Sequence, residues 1–147
     1  MTVLLTGPEP DAGLSAVDRR LLRSRAARIL RELSRGRFEL SIALVDDATM
    51  AELNARYRGR ARPTDVLSFP LLEGEEADHG GNLLGDVVIS VETAARQARR
   101  AHRGFDSVVA RLLVHGTLHL LGYDHQTDAE ARAMRADERR LCRAIQA

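Results

Sequence analysis

Four short segments of this 147-residue chain have the residue pattern of β-strands. The clearest extends from Phe38 to Leu44, where every second residue is apolar, as in a strand with one buried face. The other three predicted strands are Val3–Thr6, Val66–Phe69 and Leu84–Ser90.

Apolar residues that recur every three or four positions predict helices elsewhere. One apolar stripe extends from Val17 to about Ser34, and Ser15 followed by Asp18 is the predicted start of this helix. Three later helices are expected to begin at capping residues, namely Asp46 or Asp47, Ser90 and Thr127. The helix that begins at Asp46 or Asp47 is expected to have an apolar face formed by Met50, Leu53 and Tyr57. The helix that begins at Thr127 is expected to have one formed by Met134, Leu141 and Ile145.

The segment from Asp106 to Leu121 differs from the other helices because it is apolar almost all round, which predicts a helix in the interior. His115 and His119 interrupt it, and buried imidazoles need polar partners, for which a metal ion is well suited. Gly116 weakens a helix, so close packing of another backbone is expected at that position.

The histidine spacing predicts a metal site. His115 and His119 lie four residues apart, so a helix places them on one face, where both can bind an ion about 2 Å away. Gly122 follows where helices commonly end in a left-handed residue, so the chain can turn back and bring His125 as a third ligand. Three neutral imidazoles with an open fourth position are typical of catalytic zinc. Two histidines at helical spacing with no further ligand nearby are usually packed or surface residues. The third histidine, His125, favours a metal site.

The same spacing, H-x-x-x-H-x-x-G-x-x-H, is that of the metzincin peptidases. Those enzymes have a glutamate directly after the first histidine, which acts as general base on the zinc-bound water. Here Gly116 occupies that position, so a zinc peptidase is the second hypothesis. The other histidines, His79 and His102, are interpreted as a loop residue and a surface residue.

Chain length and composition limit the classes of protein to which this chain can belong. A chain of this length is expected to form one domain. Net charge is +1, all 22 basic residues are arginine, and aromatic residues make up 3%, so base stacking on an aromatic platform is not expected to be the main mode of RNA binding. The single Cys142 fits a reducing cytoplasm and lies outside the histidine motif. The chain has neither the pattern of a secretory leader nor a long apolar run, so neither secretion nor membrane spanning is expected.

Two motifs carry a resemblance to a known family. The string H-G-x-L-H-L-x-G-Y-D-H, from His115 to His125, resembles a signature of the YbeY family, bacterial endoribonucleases of rRNA maturation. The pattern Y-R-G…P-T-D-V-L-S-F-P, from Tyr57 to Pro70, resembles the second signature, and the family's functional arginine maps onto Arg58. Where the family usually has an acidic residue and a lysine, this chain has Arg60-Ala61-Arg62.

The resemblance implies an α/β (α+β) fold in a single domain over residues 1–147. It implies a small mixed sheet of about four strands with about five helices and the motif helix central. It also implies a cytoplasmic, single-strand-specific, metal-dependent endoribonuclease that matures the 3′ end of small-subunit rRNA and acts in ribosome quality control. The partners would be precursor rRNA, the small ribosomal subunit and assembly factors.

The site predicted from these observations contains one zinc ion per chain on His115, His119 and His125, with Arg58 as a second positive group. Asp124 is expected either to orient a histidine by a hydrogen bond or only to form the turn at the helix end. A third hypothesis is a non-enzymatic ribosome-assembly factor with structural zinc.

Overall fold

Strands and helices follow one another along the chain. The structure is a computed structural model, and it describes residues 3–7, 17–59, 64–71, 83–124 and 126–147. These residues form four strands and five helices. In chain order they are β1 (Val3–Thr6), α1 (Arg19–Glu32), β2 (Glu39–Val45), α2 (Asp47–Arg58), β3 (Val66–Pro70), β4 (Leu83–Ser90), α3 (Val91–Ala101), α4 (Phe105–Leu120) and α5 (Asp128–Ala144).

The four strands form one sheet in the order β1-β2-β4-β3. β1, β2 and β4 are parallel, whereas β3 is antiparallel to β4 and forms an edge of the sheet. The mixed four-stranded sheet with five helices confirms the predicted fold.

Different helices cover the two faces of the sheet. Ile42 and Val87 are neighbours across β2 and β4, and both belong to the main core together with residues of α1 and α4. Side chains of the opposite face, such as Leu67 and Val88, pack against Met50 of α2. The edge strand β3 therefore contacts α4 on one face, and its Leu67 packs against α2 on the other.

α4 is the central helix, as predicted, because it contacts β3, β4, α1, α3 and α5. Gly116 lies against the sheet, where a Cβ atom would be 2.7 Å from Val87 Cγ1 and 3.0 Å from Val66 Cγ2. The Ser68 hydroxyl donates a hydrogen bond to the Gly116 carbonyl at 2.8 Å. The expected close packing at this glycine is therefore present, although the nearest atoms belong to side chains rather than to another backbone.

Side-chain caps fix the helix starts. The carboxylate of Asp46 accepts from Thr49 N–H at 2.8 Å, and the Thr127 hydroxyl accepts from Glu130 N–H at 3.1 Å. Ser90 caps α3 in the same way. Asp18 caps α1 by accepting from Leu21 N–H at 3.0 Å, so the described start of this helix is later than the predicted Ser15, which lies outside the described residues. These local bonds explain why most helix starts were predictable.

The predicted apolar face of α2 is buried at the start of the helix but not in its last turn. Met50 is fully buried and Leu53 packs beside it, whereas Tyr57 is 59% exposed. The Tyr57 ring instead contacts Phe69 of β3 edge-on, with centroids 5.1 Å apart. Within the described ranges, no helix combines the length and apolar character needed to cross a membrane.

Candidate metal centre

The end of α4 shapes the site. Gly122 adopts the predicted left-handed conformation, with φ of +89°. Its N–H donates to the His119 carbonyl at 3.0 Å, and Tyr123 N–H donates to the Leu118 carbonyl at 3.1 Å. This pair of bonds is a Schellman motif, which turns the chain back over the last helical turn. The turn places the Tyr123 carbonyl beside His119.

His115 and His119 face each other. Their Nε2 atoms are 3.0 Å apart, and the ring centroids are 4.6 Å apart with an interplanar angle of 74°. The helix brings the rings to one face because residues four apart lie one turn above each other. The pair lies beside α5 and is partly accessible, since the His115 side chain is 35% exposed.

The other nitrogen of each ring contacts an acceptor. His115 Nδ1 lies 2.8 Å from Glu138 Oε1, and His119 Nδ1 lies 2.9 Å from the Tyr123 carbonyl oxygen. A carboxylate and a carbonyl can only accept, so these contacts assign the proton of each neutral ring to Nδ1. Both Nε2 atoms then present lone pairs, and two lone pairs 3.0 Å apart are stabilised by a cation between them.

The separation of the two Nε2 atoms fits imidazole ligation. Two nitrogens that each bound one tetrahedral zinc ion at about 2.0–2.1 Å would be about 3.3 Å apart. The observed 3.0 Å is close to that separation. His115 and His119 are therefore suited to bind one divalent ion.

The third predicted ligand, His125, lies outside the described residues. Among the described residues alone, no group of three His, Cys, Asp or Glu side chains could hold a metal ion. The three-histidine site thus remains a prediction, of which the structure describes two rings.

Tyr123 links the turn to α5. Its phenol donates a hydrogen bond to Asp137 Oδ2. This bond, together with partial burial, raises the pKa of Tyr123 above its ordinary value of 10.0, so the phenol stays protonated at neutral pH. Asp124 is exposed and lines an open groove of about 530 Å³ with Tyr123 and Glu130. The predicted orienting role of Asp124 remains a prediction.

Glu138, the carboxylate that contacts His115, is not among the site residues predicted from the sequence. A signal for it exists in the sequence, because Glu138 lies four residues after Met134 and three before Leu141, both buried on one face of α5. A carboxylate within an apolar stripe needs a polar partner. The identity of that partner depends on how α5 packs against α4, which the spacing within α5 does not contain.

Arg58 is the last residue of α2, and its side chain is exposed. Gly59, with φ of +70°, ends the helix directly after it. α2 and α4 pack on opposite faces of the sheet, and no contact between Arg58 and the histidine pair is seen among the described residues. Within the described part of the chain Arg58 forms no hydrogen bond or ion pair, so its guanidinium is accessible to an anion from solvent.

The remaining candidates lie elsewhere. Cys142 is buried, and burial raises the pKa of its thiol above 9.0, so it is protonated at neutral pH and is a poor ligand or nucleophile. His102 is exposed, as expected for a surface residue, and ends α3 with φ of +55°. His79 lies outside the described residues.

Comparisons with known proteins agree with the two motifs. The family model described as Endoribonuclease YbeY matches residues 14–146. A relative from Anaeromyxobacter sp. (strain Fw109-5), named Endoribonuclease YbeY, is 50% identical over 144 residues, which cover 98% of this chain and 72% of the relative. A relative of the same name from Syntrophotalea carbinolica is 48% identical over 118 residues, which cover 79% of each chain.

The fold has a counterpart among solved structures. The solution structure of TM1509 from Thermotoga maritima matches with a TM-score of 0.66 and 26% identity, covering 98% of this chain and 89% of that one. The resemblance identified from the sequence is therefore confirmed: the chain belongs to the Endoribonuclease YbeY family.

Proposed function

We propose that this protein is a single-strand-specific, metal-dependent endoribonuclease that acts in maturation of the 3′ end of small-subunit rRNA and in ribosome quality control. Family membership supports the endoribonuclease activity. The observation that carries the metal dependence is the pair of Nε2 atoms 3.0 Å apart whose rings each have an acceptor at Nδ1.

The proposed ligands are His115, His119 and His125, which would bind one zinc ion per chain. When bound, zinc supplies a positive charge next to a phosphate and lowers the pKa of a coordinated water towards about 7. The protein's own contribution is to orient the imidazoles, with Nε2 directed inwards and Nδ1 donating to Glu138 and to the Tyr123 carbonyl. This arrangement keeps the rings in the ligating tautomer.

Arg58 is proposed to bind a phosphate of the RNA. Phosphoryl transfer depends mainly on positioning and on stabilisation of negative charge, and a guanidinium binds phosphate through two parallel N–H donors. Its exposed position, without an acidic partner among the described residues, supports this role. We further propose that the protein works in the cytoplasm on precursor rRNA, in contact with the small ribosomal subunit and its assembly factors.

A zinc peptidase remains the alternative activity, but the position of Gly116 argues against it. In the peptidases with this histidine spacing, the residue after the first histidine is the general base. Here that residue has no side chain and packs against Val87 and Val66 of the sheet. A carboxylate at this position would enter the core rather than the site.

The proposal is tested by incubating the zinc-loaded protein with labelled single-stranded RNA and, separately, with casein. We expect RNA cleavage that is abolished by His119→Ala and by Arg58→Ala. Arg56→Ala is the matched control, because Arg56 is another exposed arginine of the last turn of α2 and should retain activity. Casein cleavage would favour the peptidase, and inactivity on both substrates would favour an assembly factor with structural zinc. Elemental analysis should give one zinc per wild-type chain, and full stoichiometry in His115→Ala would refute the ligand assignment.

A further inference from the structure

α5 touches the candidate metal centre at two consecutive residues. Glu138 contacts His115 directly, with Oε1 2.8 Å from Nδ1. Asp137 accepts the hydrogen bond of the Tyr123 phenol. Adjacent residues on a helix point about 100° apart, so one reaches the ring on α4 and the other reaches the turn that follows α4.

Tyr123 connects that turn to His119. Its carbonyl oxygen lies 2.9 Å from His119 Nδ1, and its N–H donates to Leu118. The phenol of the same residue is held by Asp137. The position of the carbonyl that orients His119 therefore depends on a side-chain bond to α5.

Asp137 is itself held in place. Arg140 Nε lies 3.4 Å from Asp137 Oδ1, and the same guanidinium lies 3.8 Å from Glu32 of α1. The Asp137 and Glu138 side chains are 28% and 30% exposed, so neither is a freely solvated surface carboxylate. Asp137 is thus held by Tyr123 and Arg140, and Glu138 is held by its contact with His115.

We propose that Glu138 and the Tyr123–Asp137 pair are positioning residues for the metal centre, each setting the orientation of one histidine ring. Glu138 fixes His115, and Asp137 acts through Tyr123 on His119. This inference rests on the proposed metal site, but it concerns the residues that prepare the two rings before an ion binds. Partners of this kind typically change metal affinity about 10–100-fold when they are removed.

The first test measures the zinc affinity of purified, folded protein by competition with a chelator. Glu138→Ala should bind zinc about 10–100-fold more weakly than wild type, and Tyr123→Phe should be weakened in the same direction by a smaller factor. Asp137→Ala should match Tyr123→Phe, because both remove the same bond. Glu52→Ala is the control: it removes an exposed carboxylate of α2, on the opposite face of the sheet, and should bind zinc like wild type.

The second test needs no metal. Nitrogen NMR of the imidazoles in the metal-free protein should show His115 as the Nδ1–H tautomer in wild type and as a mixture of tautomers in Glu138→Ala. Glu138→Gln keeps an acceptor oxygen, so it should restore the Nδ1–H tautomer. Glu138→Leu removes the acceptor but keeps the bulk of the side chain, so it replaces Glu138→Ala if that variant does not fold. A role limited to stability would lower the melting temperature and leave both the tautomer and the zinc affinity unchanged.

The outcomes separate the two proposals. If wild type binds no zinc, the metal-dependent function fails. If wild type binds zinc and both Glu138→Ala and Tyr123→Phe bind it equally well, the proposed positioning roles are wrong while the metal site stands.

Discussion

The start of α2 and the end of α4 each contain a partly buried polar cluster, but the atoms of the two clusters meet different partners. At the start of α2, the Asp47 carboxylate accepts from the Ser90 hydroxyl at 2.6 Å, the Thr93 hydroxyl at 2.7 Å and Arg96 at 2.8 Å. At the end of α4, the facing atoms of His115 and His119 are two Nε2 nitrogens that both present lone pairs.

This difference is the reason why we propose the histidine pair, and not the Asp47 cluster, as a metal site. Every acceptor of Asp47 meets a donor, so this cluster is complete within the protein. Burial acts to raise the pKa of Asp47, but hydrogen bonds from Arg96, Ser90 and Thr93 outweigh it and hold the pKa below 3.8. The histidine pair instead directs two Nε2 acceptors towards each other, an arrangement that is suited to a cation. Converging acceptors are thus a better sign of a metal site than the number of polar residues.

The largest effect expected from this contrast is on zinc-dependent stability. Zinc at about 100 times its dissociation constant should raise the free energy of unfolding of wild type by about 2.7 kcal/mol. His119→Ala should show almost none of this increase, because it lacks one of the converging nitrogens. Asp47→Asn should keep the full increase. Urea unfolding with and without zinc gives the increase in the free energy of unfolding for all three proteins. An equal increase in His119→Ala and in wild type would show that the histidine pair does not bind the ion.

A smaller change in the free energy of unfolding is expected from Gly116→Ala, which alters the packing of α4 against the sheet. The added Cβ would overlap with Val87 and Val66, and overpacking of this kind costs about 1–3 kcal/mol. Alanine favours a helix over glycine by about 1 kcal/mol, so we expect a net loss of up to about 2 kcal/mol. Gly104→Ala, where a Cβ meets nothing within 4 Å, should change stability by less than about 1 kcal/mol. A gain in stability of about 1 kcal/mol for Gly116→Ala in thermal unfolding, which is the full helix preference for alanine, would show that the close packing is not required.

The smallest effect is expected from Asp47→Asn, and it depends on pH. The folded-state pKa of Asp47 is depressed, so its ionised form stabilises the protein above the unfolded value and this contribution is lost as pH falls through the folded value. Near pH 7 the variant should lose about 1 kcal/mol, because its amide N–H₂ would face Arg96. Between about pH 5 and pH 3 its stability should fall less steeply than that of wild type. Parallel pH profiles in urea unfolding would contradict the assigned role of Asp47.

The sequence predicted most reliably what depends on local spacing. Caps such as Asp46 and Thr127 were predictable because they bond to backbone only three residues away. The pairing of His115 with His119 was predictable because helical geometry fixes residues four apart, and the left-handed Gly122 because a helix end favours glycine there.

What the sequence did not predict depends on long-range packing. Neither the strand order nor the antiparallel direction of β3 follows from the pattern within any strand. Glu138 lies 23 residues from His115, and only the packing of α5 against α4 brings them together. Arg58 was selected through the family motif alone, since spacing does not distinguish it from the equally exposed Arg56.

The edges of the sheet are formed by its two shortest strands, β1 with four residues and β3 with five. β3 ends at Pro70, which has no backbone N–H to offer to an incoming chain. A strand from a second copy could therefore form only a few intermolecular hydrogen bonds with either edge. We expect these short edges to protect the native protein against edge-to-edge aggregation.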